Sequence, residues 1–286
     1  DESAIIHDTK SNYYQITKEG EKIKIGNAIS STDWDKCQAS IENLEKASGI
    51  KAATDGTLQG LLDSMEKNNV DISVIMPVVT KPSQFESVNT FAAEINQKYK
   101  GKLISFGGIH PESDNYMAEL DRIKELGLPG IKLHPDYQGV MIDDIRYLDI
   151  IRYADKLGLI ILVHAGIDIG LPMPVHCPPD KMKKVIEDIK PKKLVLAHMG
   201  GWKQWEEVYD LLVGEDVYFD TSFTFDYIED EMFLKILKKH GTDKLLFATD
   251  SPWSNSKKTA DIIKGLSIPD EDKEAILAGN ALRILK

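Results

Sequence analysis

The chain reads as α/β, a single (β/α)8 TIM barrel whose N-terminal segment, residues 1–31, departs from the repeat. Three observations predict it. Seven short apolar, β-branched runs recur with starts 23 to 35 residues apart, the length of a strand–helix–strand unit. Amphipathic stretches of helical period fill the intervals between them. The runs themselves end on histidine or aspartate, where a barrel places its active-site face.

In chain order, the first amphipathic stretch is TLQGLLDSMEKNN (57–69), opened by the hydroxyl of Thr57. The strand runs then begin with ISVIMPVV (72–79) and LISFGGIH (103–110). A second helix, SDNYMAELDRIKELG (113–127), opens on Ser113 and precedes the strand GIKLH (130–134). RYLDIIRYADKLG (146–158) closes on Gly158, a helix-terminating residue, and leads into LIILVHAG (159–166). LVLAHMGG (194–201), VYFDTS (217–222) and LLFATDS (245–251) complete the set. Runs this continuously apolar are buried on both faces, as in a parallel sheet. Seven units after residue 70 and one strand upstream make eight, and no linker or low-complexity stretch divides residues 1–286, so one domain is expected.

Composition narrows the function. A net charge of −11 and a pI near 5.2 argue against nucleic acid or an anionic membrane as partner, leaving a small molecule as the expected substrate. No apolar run reaches the ~18 residues of a membrane span. Two cysteines, Cys37 and Cys177, give no disulfide framework, which suits the cytoplasm.

Four of the seven histidines, His110, His134, His164 and His198, end strand runs, as do Asp220 and Asp250. A barrel gathers such residues around one axis. His164, His198 and Asp250 form the sharpest trio. Two imidazoles and a carboxylate suit a divalent ion, Zn²⁺ first, with a coordination position open to water. Asp250 has a second role open to it, as general base, and His198 is the other catalytic candidate. Lys132, two residues before His134, shares its side of the strand and has two roles open to it, holding a substrate carboxylate or snorkelling to the rim. His134, Trp253 and His176, the last in the proline-rich loop PMPVHCPP (172–179), are the remaining substrate-binding candidates. Asp220 is a candidate to orient a ligating imidazole. His240, at a helix end where the macrodipole favours a cation, receives no catalytic role.

At GIKLHPDYQG (130–139), LVHAG (162–166), LAHMGG (196–201), FDTS (219–222), ATDSPW (248–253) and GNALRIL (279–285) the sequence resembles the amidohydrolase superfamily. More narrowly, it is similar to the group that includes aminocarboxymuconate semialdehyde decarboxylase, over about residues 55–286. The resemblance implies one divalent metal, often zinc, at the C-terminal face of a distorted TIM barrel. His164 would ligate the metal, Asp250 would ligate it or act as base, and His198 would touch the metal or the reacting group. Members hydrolyse lactones or amide-like bonds, or decarboxylate unsaturated and aromatic acids, and homodimers are common among them.

One motif departs from the pattern. The group's first strand ends in a His-X-His pair, and this chain has none. Counting back from DKCQASIENLEK (35–46) puts that strand at KIGNAISS (24–31), with Ile29 and Ser31 at the histidine positions. His7 is the nearby candidate for a replacement ligand. Three functions follow. The first is metal-dependent hydrolysis of a small, carboxylated cyclic ester or amide by activated water. The second is metal-dependent, non-oxidative decarboxylation, and the third a barrel that has lost its metal and binds a ligand without turnover.

Overall fold

A computed structural model describes residues 41–42, 45–46, 48–169, 171 and 173–286, and the backbone of three strands before them. Those strands, β1 (Ile5–His7), β2 (Tyr13–Ile16) and β3 (Lys22–Gly26), pair antiparallel in the order β1-β2-β3. The alternation in KIKIG suits a hairpin better than a doubly buried strand. Residues 24–26 of the expected first barrel strand are therefore paired to β2, and 27–31 lie outside the described residues.

From residue 57 onward the expected units appear in order. α1 (Leu58–Asn68) is capped by Thr57, whose hydroxyl accepts the Gly60 amide at 2.9 Å, and ends on left-handed Asn69. β4 (Ser73–Ile75) stops short of residue 79 at Pro77, which has no amide to donate. After α2 (Phe85–Lys98) come β5 (Leu103–Ser105) and β6 (Gly107–Gly108). β5 pairs with β4, and β6 with β7 (Gly130–Leu133). The Phe106 amide between them donates to Ile75, so 103–108 is one strand passing from one ladder to the next. α3 (Tyr116–Glu125) starts later than Ser113 because that hydroxyl accepts the Asn115 amide in a preceding turn.

Short α4 (Pro135–Gln138) follows β7 directly. α5 (Ile145–Lys156) opens on Asp144, which accepts the Arg146 amide. The remaining elements are β8 (Ile160–Val163), α6 (Pro179–Ile189), β9 (Leu194–Leu196), α7 (Trp205–Leu211), β10 (Tyr218–Asp220), α8 (Asp230–His240) and β11 (Leu245–Leu246). α9 (Ser256–Gly265), α10 (Asp270–Glu274) and α11 (Asn280–Ile284) close the chain. The strands from β6 to β11 form one parallel sheet in sequence order, and β4-β5 continues it. Among the described residues no ladder joins β11 to β4. β11 is short because Phe247 donates to Ile276 and Ala248 to the Thr221 hydroxyl.

Alternate strand residues enter two different cores, which fixes the register. Ile131, Leu133, Ile161, Val163, Leu194, Leu196, Phe219 and Leu245 join the large cluster that packs the helices. Their neighbours Ile160, Leu162, Val195, Ala197 and Leu246 turn the other way, into a smaller inner cluster with Phe106 and Ile284. Gly130 is glycine because a Cβ there would lie 2.6 Å from the Phe106 ring and 2.4 Å from the Ile160 carbonyl. α11 lies across the strand starts, where the Ile284 carbonyl accepts Lys193 Nζ and Asn280 donates to Leu245. That end is a floor, and the strand ends opposite form the mouth. No helix among the described residues is long and apolar enough to cross a membrane.

Candidate active site

Residues at the strand ends inherit the inner face. In β7 Lys132 points inward, and His134 follows two residues later; in β8 Ile160 and Leu162 lead to His164. Lys132, His134, His164, His198, Asp220, Asp250 and Trp253 all line one cavity, as do Asp168, Ser222 and Phe223. Two expected participants lie elsewhere. His176 is captured outside the cavity by Asp136, which accepts both its amide and its Nδ1 at 3.0 Å, so the proline-rich loop braces α4. His110 is buried, accepts the Glu112 amide through Nδ1 at 3.1 Å and tightens a turn. His7 ends β1, with its side chain outside the described residues.

The three cavity histidines form a contiguous group. His134 stacks on His164, centroids 4.1 Å apart at 9°, and His164 meets His198 edge-on at 4.9 Å. The hydrogen bonds assign their protons. The Ser222 carbonyl can only accept, and His198 Nδ1 lies 2.8 Å from it, so that nitrogen carries the hydrogen. In a neutral ring His198 Nε2 is then a lone pair, and it accepts from His164 Nδ1 at 3.1 Å. His164 Nε2 is left as a bare lone pair, buried and with no hydrogen-bond partner. His134 runs the other way. Its Nδ1 accepts the Tyr137 amide at 3.3 Å, which puts its proton on Nε2, 3.5 Å from Asp168 Oδ2.

Asp220 holds the other side of the group. Its Oδ1 accepts the His198 and Ser222 amides and the Ser222 hydroxyl, and that hydroxyl in turn lies 3.0 Å from His198 Nδ1. The backbone is bent to allow this. His198 and Met199 have φ of 59° and 56°, Phe223 of 47° and Asp250 of 53°, all left-handed and none a glycine. Gly166 (φ 86°) pairs with Trp202 so closely that a Cβ would fall 2.1 Å from the Trp202 amide nitrogen.

Burial sets the charges. His164 is held well below the ordinary imidazole range, first by burial and then by His134, His198 and Lys132 around it. His134 is likewise pushed well down by burial, then by Lys132 and His198. Both rings are therefore neutral at neutral pH, and His164 Nε2 is available as a ligand. Burial also lowers Lys132, against the pull of Asp250 and Asp220. His240, expected as a cation at its helix end, is instead pushed down to about 4 by burial. It stacks on Phe219 at 4.0 Å, accepts the Gly214 amide and donates to Val217. Desolvation under an aromatic ring outweighs the helix dipole there.

Sequence reasoning missed three participants. Asp168 sits in the loop after β8 and comes within 4.0 Å of His164 Nε2. With His134 and His164 it places three ligand atoms within 4.8 Å of one another. Ser222 orients His198 through its carbonyl, an atom that every residue has. Gln138 bonds the His134 amide from α4. Asp168 and Gln138 lie outside the strand runs, and Ser222, the last residue of VYFDTS (217–222), acts through a backbone atom that its residue type does not signal.

Known proteins agree with this architecture. A TIM-barrel protein from Bordetella bronchiseptica superposes with a TM-score of 0.71 at 21% identity, over 84% of this chain and 87% of that one. A 5-carboxyvanillate decarboxylase from Sphingomonas paucimobilis gives 0.61 at 16% identity, over 80% and 83%. A dihydroxybenzoic acid decarboxylase from a Polaromonas species, with bound manganese and the inhibitor 2-nitroresorcinol, gives 0.60 at 18%, over 80% and 86%. No curated protein matches the sequence. The profile of the family described as Amidohydrolase matches residues 50–286, which takes in every strand of the parallel sheet and every cavity residue named above, and the chain belongs to that family.

Proposed function

We propose that this enzyme removes the carboxylate of a small unsaturated or aromatic acid as CO₂ with the help of a divalent ion. One observation carries the reading: a buried lysine, Lys132, faces a cavity whose floor is apolar and whose mouth is aromatic. Its ammonium recognises a carboxylate, and Phe106, Leu162 and Val195 beneath it offer that carboxylate no hydration. Loss of CO₂ removes the charge from this apolar ground. Trp202, Phe223 and Trp253 supply flat walls for an unsaturated ring. The decarboxylases among the structural neighbours support the same chemistry.

The side chains fit a divalent ion, since His164 Nε2 is an orphaned lone pair beside Asp168. Such an ion, when bound, supplies positive charge that polarises the acid's oxygens. Zn²⁺ is the ion that the histidines suit, and manganese the one in the Polaromonas structure. Lys132 fixes the departing carboxylate. As the carbon–carbon bond breaks, its electron pair stays on the ring carbon and takes a proton there, so that acid anion and proton give CO₂ and the protonated ring. Asp250, at the water-accessible mouth, delivers that proton and recovers one from solvent. His198 has both nitrogens engaged and acts by positioning His164.

Hydrolysis of a small carboxylated cyclic ester or amide is the second reading, favoured by the family match. Metal-loaded protein, with Zn²⁺ or Mn²⁺, incubated with hydroxybenzoates and lactones in D₂O separates the two. The expected result is CO₂ with one deuterium on the vacated carbon. Acid release from a lactone without CO₂ from any acid overturns it. Neither product with either ion favours the non-catalytic barrel.

A further inference from the structure

We propose that the outward face of α8 (Asp230–His240) docks on the same face of a second copy of this chain, antiparallel across a twofold axis. The surface lies apart from the cavity, and the inference does not depend on the reaction proposed above.

α8 buries one side and leaves the other to solvent. Phe233, Ile236 and Leu237 enter the core, so Glu231, Leu234 and Lys238 fall on the opposite side, and all three are exposed. None of them lines the cavity. Steps of three and four residues set them in one line along the helix. Their nearest internal partners are engaged elsewhere. Lys235, one turn beyond Glu231, lies over the Tyr209 ring at 4.0 Å. Lys239 lies over the same ring at 4.4 Å and donates to the Tyr209 carbonyl at 3.3 Å. Lys244 and Lys258 nearby find Asp216 and Asp226, yet among the described residues Glu231 and Lys238 join no ion pair. A single exposed leucine, here at 46%, is ordinary. A leucine set between an unpaired acid and an unpaired base is self-complementary.

At 1.5 Å per residue Glu231 and Lys238 stand roughly 10 Å apart along the helix, and two turns bring them to within about 20° of each other. A twofold axis midway between them sets each Glu231 against the partner's Lys238 and packs Leu234 beside the partner's Leu234. Both ion pairs form together, because an isologous contact repeats every interaction. Antiparallel helices also place the positive end of each dipole beside the negative end of the other. A second copy is the occupant this face fits, since the face carries its own complement. One helix face buries less than the about 800 Å² per partner of a standard interface, so the dimer is weak and exchanges rapidly. The net charge of −11 on each copy opposes approach, and the local pairs outweigh it only at contact.

Sedimentation velocity of the full chain over a concentration series tests the proposal without substrate. Wild type should self-associate in the micromolar to sub-millimolar range. Glu231→Lys and Lys238→Glu should each weaken association by about tenfold or more, since either puts like charges into both pairs. An equal mixture of the two single variants should associate again, because each carries the charges the other lacks. That rescue also guards against a merely misfolded variant. The variant carrying both changes should self-associate, its charges exchanged but still matched. Bulk charge predicts the opposite for Glu231→Lys, which makes the chain less negative and would promote association. Wild type that stays monomeric throughout overturns the proposal. So do single variants that associate as wild type does, a loss confined to one of them, or a mixture whose members stay apart.

Discussion

Replacing Gln138 with leucine tests how the mouth of the barrel is held. The Gln138 amide makes four buried hydrogen bonds: its nitrogen donates to the Val79 and Ile109 carbonyls, both at 2.7 Å, and its oxygen accepts the His134 amide and the Tyr147 hydroxyl. Val79, Ile109 and Tyr147 have no measurable exposure and His134 has 6%, so water cannot take over these bonds. Leucine fills much the same volume and satisfies none of the four. At about 1 kcal/mol for each stranded group, the low end of the usual range, Gln138→Leu should cost about 4 kcal/mol. In a chain of this size that is a fall in melting temperature of about 10 °C. Urea unfolding of wild type, Gln138→Leu, Tyr147→Phe and the double variant supplies the check. Tyr147→Phe alone should cost about 1 kcal/mol, yet in the Gln138→Leu background it should restore about that much, because the stranded hydroxyl is gone. A loss below about 1 kcal/mol for Gln138→Leu, or strict additivity of the pair, would refute the account of this network.

Three further outcomes are expected. His240, whose folded pKa of about 4 lies below its ordinary 6.5, takes up its proton more readily when unfolded. Its contribution is present above pH 6.5 and disappears as pH falls towards 4, by at most about 3 kcal/mol, and His240→Gln should flatten stability across that window in pH-dependent urea melts. Gly166→Ala should cost on the order of 3 kcal/mol in the same assay, since the Trp202 backbone cannot move away without breaking the β8–loop bridge. Lys132→Met should raise the melting temperature by about 4 °C while lowering kcat/KM for a carboxylated substrate about a hundredfold. Asp220 keeps three donors without the lysine and Asp250 keeps water; a variant that loses stability along with activity contradicts this reading.

Most of the fold was legible because burial on two faces writes itself into each strand locally. Ile131 and Ile161 look like core whichever side they turn to, and the inner and outer sets differ only by parity. His134, His164 and His198 were legible for the same reason, since ending a strand is a local property that the barrel converts into convergence. Asp168 was not, because a loop, not a strand, brings it back over His164. His176 misled: the prolines around it suggested a pocket wall, and only the three-dimensional position of Asp136 shows what it bonds. The first strand misled differently. Its placement came from counting back along a family pattern, whereas residues 22–26 follow their own alternation into an antiparallel hairpin.

The left-handed residues at the mouth bear on how such a protein changes over generations. Conformations of this kind cost on the order of 1 kcal/mol or more apiece, and His198, Met199, Phe223 and Asp250 all lie on the loops that line or flank the cavity. The packed floor residues Ile284, Leu246 and Val195, by contrast, interlock in ordinary strand and helix geometry. A random substitution in the floor is therefore judged by whether the chain still folds, and one in the rim by what the enzyme then accepts. Libraries confined to the rim can search for new substrates on a scaffold whose reserve of stability is kept, and enlarged, at the opposite end.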